Sequence, residues 1–171
     1  MNPMREIKIE KVTLNIGSGK DQTKLEKGMK LIKSITGVNP IKTITKKRIP
    51  NWGIRPGLPV GCKLTLRKDK ALKIIPKLLA ARDNNLKESQ FDENGSVAFG
   101  IPEYIDIPET KYDPEIGMMG LEICITLERN GFRIKKRKIK KHKVSKKHAI
   151  SKKEAIEFMQ NKFNIKVGES E

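Results

Sequence analysis

The chain has 171 residues, 37 of them Lys or Arg and 20 Asp or Glu, for a formal net charge of +17. That length suits one domain with a single core, and an apolar fraction of 36% in well-patterned runs is not the composition of a disordered chain. No run approaches the ~18 apolar residues of a membrane span, Met1 to Glu6 is no secretory leader, and Cys62 and Cys124 make neither a disulfide framework nor a four-ligand zinc site; a soluble, cytoplasmic protein remains.

Val12, Leu14 and Ile16 alternate with Lys11, Thr13 and Asn15, the mark of a strand with one buried face. Ile7 and Ile9 fall in the opposite phase, which predicts a strand start or a bulge near Lys11. After Gly17-Ser18-Gly19, residues 22–36 put Leu25, Met29 and Ile32 on one helical face, with Gly37 as the C-terminal stop. A short strand over 41–46 follows, then a loop rich in Lys, Arg, Pro and Gly that reaches Gly57. Val60, Cys62, Leu64 and Leu66 alternate with Gly61, Lys63, Thr65 and Arg67 in the clearest strand of the chain. Asp69 is placed to cap a helix through Ala81, with Pro76 kinking or shortening it. Asn94-Gly95 signals a hairpin turn. Leu121, Ile123, Ile125 and Leu127 against Glu122, Cys124, Thr126 and Glu128 make another one-sided strand. Ser151 and Glu154 form a capping box for a helix whose Ile156, Met159 and Phe163 share a face.

Strands apolar on one side, mixed with amphipathic helices, define an α+β fold class: an antiparallel sheet with helices packed on one face and the other face open. No repeat or linker divides the chain. Residues 1–171 therefore read as a single domain that includes the basic segment 131–148 and the C-terminal helix 151–163.

The charge is spread unevenly. Residues 1–50 hold 12 basic and 4 acidic side chains, 51–82 hold 8 and 1, 83–128 hold 2 and 11, and 129–171 hold 15 and 4. Gathered cations repel one another in the compact state unless a polyanion neutralises them. The densest block runs from Arg133 to His148: Arg133, Lys135, Lys136, Arg137, Lys138, Lys140, Lys141, Lys143, Lys146 and Lys147, with both histidines and no acid. A phosphate backbone is the partner its charge fits. A solvated loop or a localisation signal is the plainer alternative, and an anionic membrane fits worse because the block lacks a large apolar face. The open sheet face adds Lys11, Thr13, Asn15, Lys63, Thr65 and Arg67. Cationic and hydrogen-bonding groups on a rigid platform suit the phosphates, sugar edges and unstacked bases of RNA; a merely solvated polar face is the alternative.

Catalytic machinery is hard to find. Glu103, Asp106, Glu109, Asp113 and Glu115 could hold Mg²⁺ in a nuclease, but Pro102, Pro108 and Pro114 interrupt them and no His lies near in sequence. They read as an acidic surface turned away from the polyanion. Gly17-Ser18-Gly19-Lys20 lacks the spacing of a phosphate loop. Cys62 belongs to the apolar phase of its strand, and Cys124 to the opposite phase without basic support for reactivity. Trp52, the only tryptophan, reads first as a plug anchoring its loop to the core and second as an exposed stacking surface. No catalytic residue, metal or cofactor is assigned. A non-catalytic RNA binder leads, ahead of a free-standing RNA- or DNA-binding regulator and a metal-dependent nuclease.

Four segments carry a resemblance: Lys11 to Gly17 (KVTLNIG), Gly57 to Arg67 (GLPVGCKLTLR), Phe99 to Glu103 (FGIPE) and Tyr112 to Gly120 (YDPEIGMMG). In their order along nearly the whole chain, the sequence resembles the L-five family of large-subunit ribosomal proteins, and its archaeal and eukaryotic branch in particular. The resemblance implies a helix-backed sheet whose bare face docks on 5S rRNA in the central protuberance, with RNA contacts carried over onto Asn15 and Thr65. Where the bacterial branch often has Gln after Gly37, this chain has Val38. The loop from Lys46 to Gly57 is implied to approach the elbow of peptidyl-site tRNA, with Lys46, Lys47, Arg48 and Arg55 on phosphates. Large-subunit rRNA is the implied neighbour of the basic segment. Further implied partners are a neighbouring 5S-binding ribosomal protein and a small-subunit head protein across an intersubunit bridge.

Overall fold

The alternation around Lys11 sets the architecture. In the computed structural model, whose described residues are 2–168, strand β1 (Ile7–Gly17) is the middle of a five-stranded antiparallel sheet. Across the sheet the order is β2 (Ile41–Ile44), β3 (Pro59–Leu66), β1, β6 (Leu121–Arg129) and β5 (Ser96–Ile101). Leu14 faces Leu64 of β3 and Ile123 of β6, and Val12 faces Leu66 and Ile125. Because side chains alternate, that register places the apolar phases of three strands on one face. The register shifts between Ile9 and Lys11, the predicted bulge, and Glu10 is the extra residue.

Two helices cover the apolar face. Helix α1 (Gln22–Thr36) starts where the Asp21 carboxylate accepts from the amides of Thr23 and Lys24. It stops at Gly37, whose φ of 69° is left-handed and whose amide donates to the Lys33 carbonyl. Leu25, Leu31 and Ile32 of α1 and Ala71, Ile74, Ile75, Leu78 and Leu79 of α2 (Lys68–Ala80) are buried in one core with Val12, Leu14, Ile16, Cys62, Leu64 and Leu66. Each fully buried Leu or Ile contributes about 1.5–3 kcal/mol. At Gly28 the helix comes so near the sheet that a Cβ would lie 3.2 Å from Ile16 Cγ2 and 3.3 Å from Cys62 Sγ. Burial pushes the Cys62 thiol up from its ordinary value, so it packs as a small apolar residue.

Some boundaries move. Asp69 lies in the first turn of α2, near the positive end of its dipole, rather than at the cap. Pro76 is exposed and α2 runs past it to Ala80. Strand β2 ends at Ile44, two residues early, at a shift between Thr43 and Ile44. Helix α3 (Lys152–Phe163) has the full Ser151–Glu154 capping box and ends at Asn164, φ 52°. Its Ala155 and Met159 are buried, while Ile156 and Phe163 are half-buried. One pairing has no sequence precursor: β4 (Asn85–Lys87) runs parallel to β7 (Lys166–Gly168) in a separate small sheet.

Candidate nucleic-acid interface

The face opposite the helices is built in rows. Thr13 stands between Thr65 and Cys124, with Ala98 beyond; Asn15 stands between Lys63 and Glu122, with Gly100 beyond. Lys63 and Thr65 are exposed, and Lys11, Thr13 and Asn15 half-buried. Among the described residues, no helix lies over Lys63 or Thr65, so the sidedness read from the alternation holds. Thr13, Asn15, Ala98, Gly100, Glu122 and Cys124 line a shallow depression of about 510 Å³. Ala98 and Gly100 matter by being small, since they keep that floor low enough for a backbone or sugar to approach.

Glu122 was not anticipated. The Asn15 amide donates to its carboxylate at 3.0 Å, leaving the amide oxygen to accept from a ligand. Glu122 and Glu128, on the polar phase of β6, share the open face with the cations. Two acids of the 103–115 stretch lie elsewhere. Glu115 pairs with Lys30 of α1 at 2.9 Å and Glu109 pairs with Lys77 of α2, on the helix side. Among the described residues, no group of three or more His, Cys, Asp or Glu is placed to hold a metal ion.

At the bulge, Glu10 gathers cations. Its side chain is 6% exposed, with Lys136 Nζ at 2.9 Å and Arg67 Nη1 at 3.3 Å, and Lys136 also reaches Glu128 at 2.7 Å. Burial pushes the Glu10 carboxyl up, but the hydrogen bonds from Lys136 and Arg67 and the charges of Lys136 and Lys11 outweigh it and hold the group below its ordinary value. Two predicted contact residues, Arg67 and Lys136, are thus engaged within the chain, and Lys136 ties the root of the basic segment to the sheet. Arg129 anchors the other end. Its side chain is 5% exposed and donates to the carbonyls of His148 at 3.3 Å and Ala149 at 3.1 Å and to Glu154 at 2.6 Å. Phe132 is buried edge-on to His148, with ring centres 5.7 Å apart. Between these anchors, Arg133, Lys135, Arg137, Lys138, Lys140, Lys141 and Lys143 are exposed. The His142 amide donates to the Ile134 carbonyl at 3.1 Å and closes the excursion.

The loop between β2 and β3 is braced rather than loose. At its base the Thr45 amide and hydroxyl both donate to the Leu58 carbonyl and the Gly57 amide donates to the Thr45 carbonyl, and the amides of Ile49 and Ile54 each donate to the other's carbonyl, at 2.9 and 3.0 Å. Lys46, Lys47, Arg48 and Arg55 are all exposed. The plug is Ile54, 6% exposed, whereas Trp52 is 65% exposed, which reverses the first reading of that residue. The reversal has a local cause. Pro50–Trp52 forms one tight turn, Gly53 follows at φ 59°, and the chain returns inward one residue later. The Lys20 side chain packs against Gly53 where a Cβ would collide with it.

The glycine turn after β1 is no phosphate nest. The amides of Ser18 and Gly19 both donate to the Val60 carbonyl, at 2.9 and 3.1 Å, and are consumed there. Val38 packs against the core and brings no side-chain amide to the sheet edge.

A helix-backed sheet with an uncovered polar face, flanked by a cationic loop and an anchored basic segment, is the build of a binding domain for a polyanion. Residues 2–55 match the family described as Ribosomal protein L5, and residues 59–158 match the C-terminal part of the same ribosomal family. The chain is 51% identical over 167 residues to Large ribosomal subunit protein uL5 of Nanoarchaeum equitans, covering 97% of this chain and 98% of that protein. It is 47% identical to the protein of the same name from Sulfurisphaera tokodaii (99% and 96% covered) and 45% identical to that of Sulfolobus acidocaldarius (98% and 94%). The chain belongs to the L5 family of ribosomal proteins, with archaeal relatives over nearly its full length. Its role is structural rather than enzymatic.

Proposed function

We propose that the chain is a structural constituent of the large ribosomal subunit in the cytoplasm, binding 5S rRNA on the open sheet face and helping to attach it in the central protuberance. The observation that carries this reading is the open face itself: Lys11, Thr13, Asn15, Lys63 and Thr65 stand on one rigid surface with both sheet-covering helices on the other side. Hydroxyl and amide groups at its centre suit 2′-hydroxyls and base edges, while cations toward β2 and β3 suit phosphates. The 46–55 loop then touches peptidyl-site tRNA, and the basic segment, fastened to the sheet at its ends, contacts large-subunit rRNA. A neighbouring 5S-binding protein and a small-subunit head protein complete the partners that membership of the family suggests.

The test is discrimination at matched salt. Binding of 5S rRNA and of an unrelated RNA of equal length is measured for the native chain and for Asn15→Ala with Thr65→Ala. Loss of each base- or sugar-directed hydrogen bond costs about 0.5–1.5 kcal/mol, so the double variant should lose roughly 5- to 150-fold in preference for 5S. Its affinity for unrelated RNA should hold. An undiminished preference would show that this face does not read the RNA.

A further inference from the structure

We propose that Trp52 is a stacking platform for an exposed base face of structured RNA. The inference rests on the reading that the 46–55 loop meets tRNA, and it adds which side chain makes the non-ionic part of that contact. A tryptophan offers roughly 150–250 Å² for burial, yet the fold leaves this ring 65% exposed and seals the loop with Ile54 instead. The presentation is rigid. Two Ile49–Ile54 hydrogen bonds lie below the turn, and the Trp52 and Gly53 amides are fixed to the carbonyls of Ile49 at 3.3 Å and Pro50 at 2.8 Å. A pre-organised aromatic loses little freedom when a base settles on it.

The surroundings select the partner. Lys46, Lys47, Arg48 and Arg55 are exposed on the same loop, and no acidic residue occurs between Glu26 and Asp69 in the sequence. A polyanion fits that setting and a basic protein does not. The ring also lacks an internal cation: among the described residues, Lys135 sits over Phe132 at 4.6 Å and Lys162 over Phe158 at 5.3 Å, and Trp52 has no such neighbour. The edge strand that leads into the loop also exposes apolar side chains, Ile44 at 62% and Ile41 at 68%. Phosphates and bases thus find separate groups on one loop, cations for the first and an indole for the second. Folded tRNA offers both at a bend, where base faces are uncovered.

Trp52 is the only tryptophan, so its emission reports on this site alone. The full chain is titrated with unmodified tRNA, with a double-stranded RNA of equal phosphate count, and with polyglutamate, while binding is followed separately by filter retention. Quenching should saturate with tRNA binding and be weak with the duplex, whose bases are covered. Trp52→Ala should weaken tRNA binding roughly tenfold by the same factor at about 50 and 200 mM salt, and Trp52→Phe should stay within about threefold. The variant Lys47→Ala, Arg48→Ala, Arg55→Ala should instead flatten the salt dependence. Unchanged emission at saturating tRNA, or equal quenching by polyglutamate, overturns the stacking proposal. So does native affinity in Trp52→Ala when the triple variant has lost it, and that pattern leaves the loop reading standing. Native tRNA affinity in the triple variant removes the loop reading, and the proposal with it.

Discussion

Replacing Arg129 with Met should uncouple the basic segment from the sheet. Arg129 lies at the end of β6 in the phase of Leu121, Ile123, Ile125 and Leu127, and its guanidinium bridges the His148 and Ala149 carbonyls to Glu154. Breaking a fully buried pair costs about 3–5 kcal/mol. Here the Glu154 side chain is 42% exposed and can be rehydrated, so part of that cost is recovered. Methionine keeps the apolar stem but donates nothing to two carbonyls, each worth about 1 kcal/mol or more when left bare. The expected loss is about 2–4 kcal/mol, or roughly 5–15 °C in melting temperature for a chain of this size. Urea unfolding gives the global figure, and amide exchange gives the local one, with protection falling over residues 145–163 more than in β1 and β3. Glu154→Gln, which leaves Arg129 its two carbonyls, should cost about 1 kcal/mol. A change below about 0.5 kcal/mol in Arg129→Met, with exchange of α3 unaltered, would show that Arg129 anchors nothing.

Two further substitutions probe the sheet. The lowered Glu10 value means that its contribution is complete above the ordinary glutamate value of 4.5 and is lost as pH falls through the lowered value. Glu10→Gln should therefore be about 1–2 kcal/mol less stable than the native chain at neutral pH, a gap that closes on acidification; a gap independent of pH in urea unfolding would assign the loss to packing instead. Gly61→Ala places a Cβ 2.6 Å from the Ile16 carbonyl oxygen and 3.1 Å from Thr43 Oγ1, so strand β3 must move away from β1. A loss of about 1–3 kcal/mol is expected, and an unchanged unfolding midpoint would mean that the strands separate there at no cost.

What could be read in advance followed from short-range rules. Alternation in 11–16, 60–67 and 121–128 is a property of each strand alone, and it settles which side chains share a face before any pairing is known. The caps at Gly37 and Ser151 are likewise local chemistry. What stayed hidden depends on distant chain. Three-residue strands such as β4 and β7 have too little pattern to announce a partner some eighty residues away. The exposure of Trp52 hinges on Ile54 winning the inward position, which two apolar residues in one loop leave undecided. Glu122 sits opposite Asn15 only because β6 pairs with β1, a register that neither segment states. Arg129 is legible from its position alone: a cation in the apolar phase of a strand has to find buried acceptors.

The position of β1 has a consequence for biosynthesis. Of the sheet's strands it leaves the exit tunnel first, yet it is the middle one, with β3 along one side and β6 along the other. The first edge can zip once residue 66 has emerged and the second only after residue 129. At roughly 5–20 residues per second that delay is about 3–13 s. Throughout it, a nascent hairpin with one greasy side and a bare hydrogen-bonding margin must avoid its neighbours on other polysomes. The surplus of lysine and arginine already translated by then supplies the mutual repulsion that keeps such half-made copies apart.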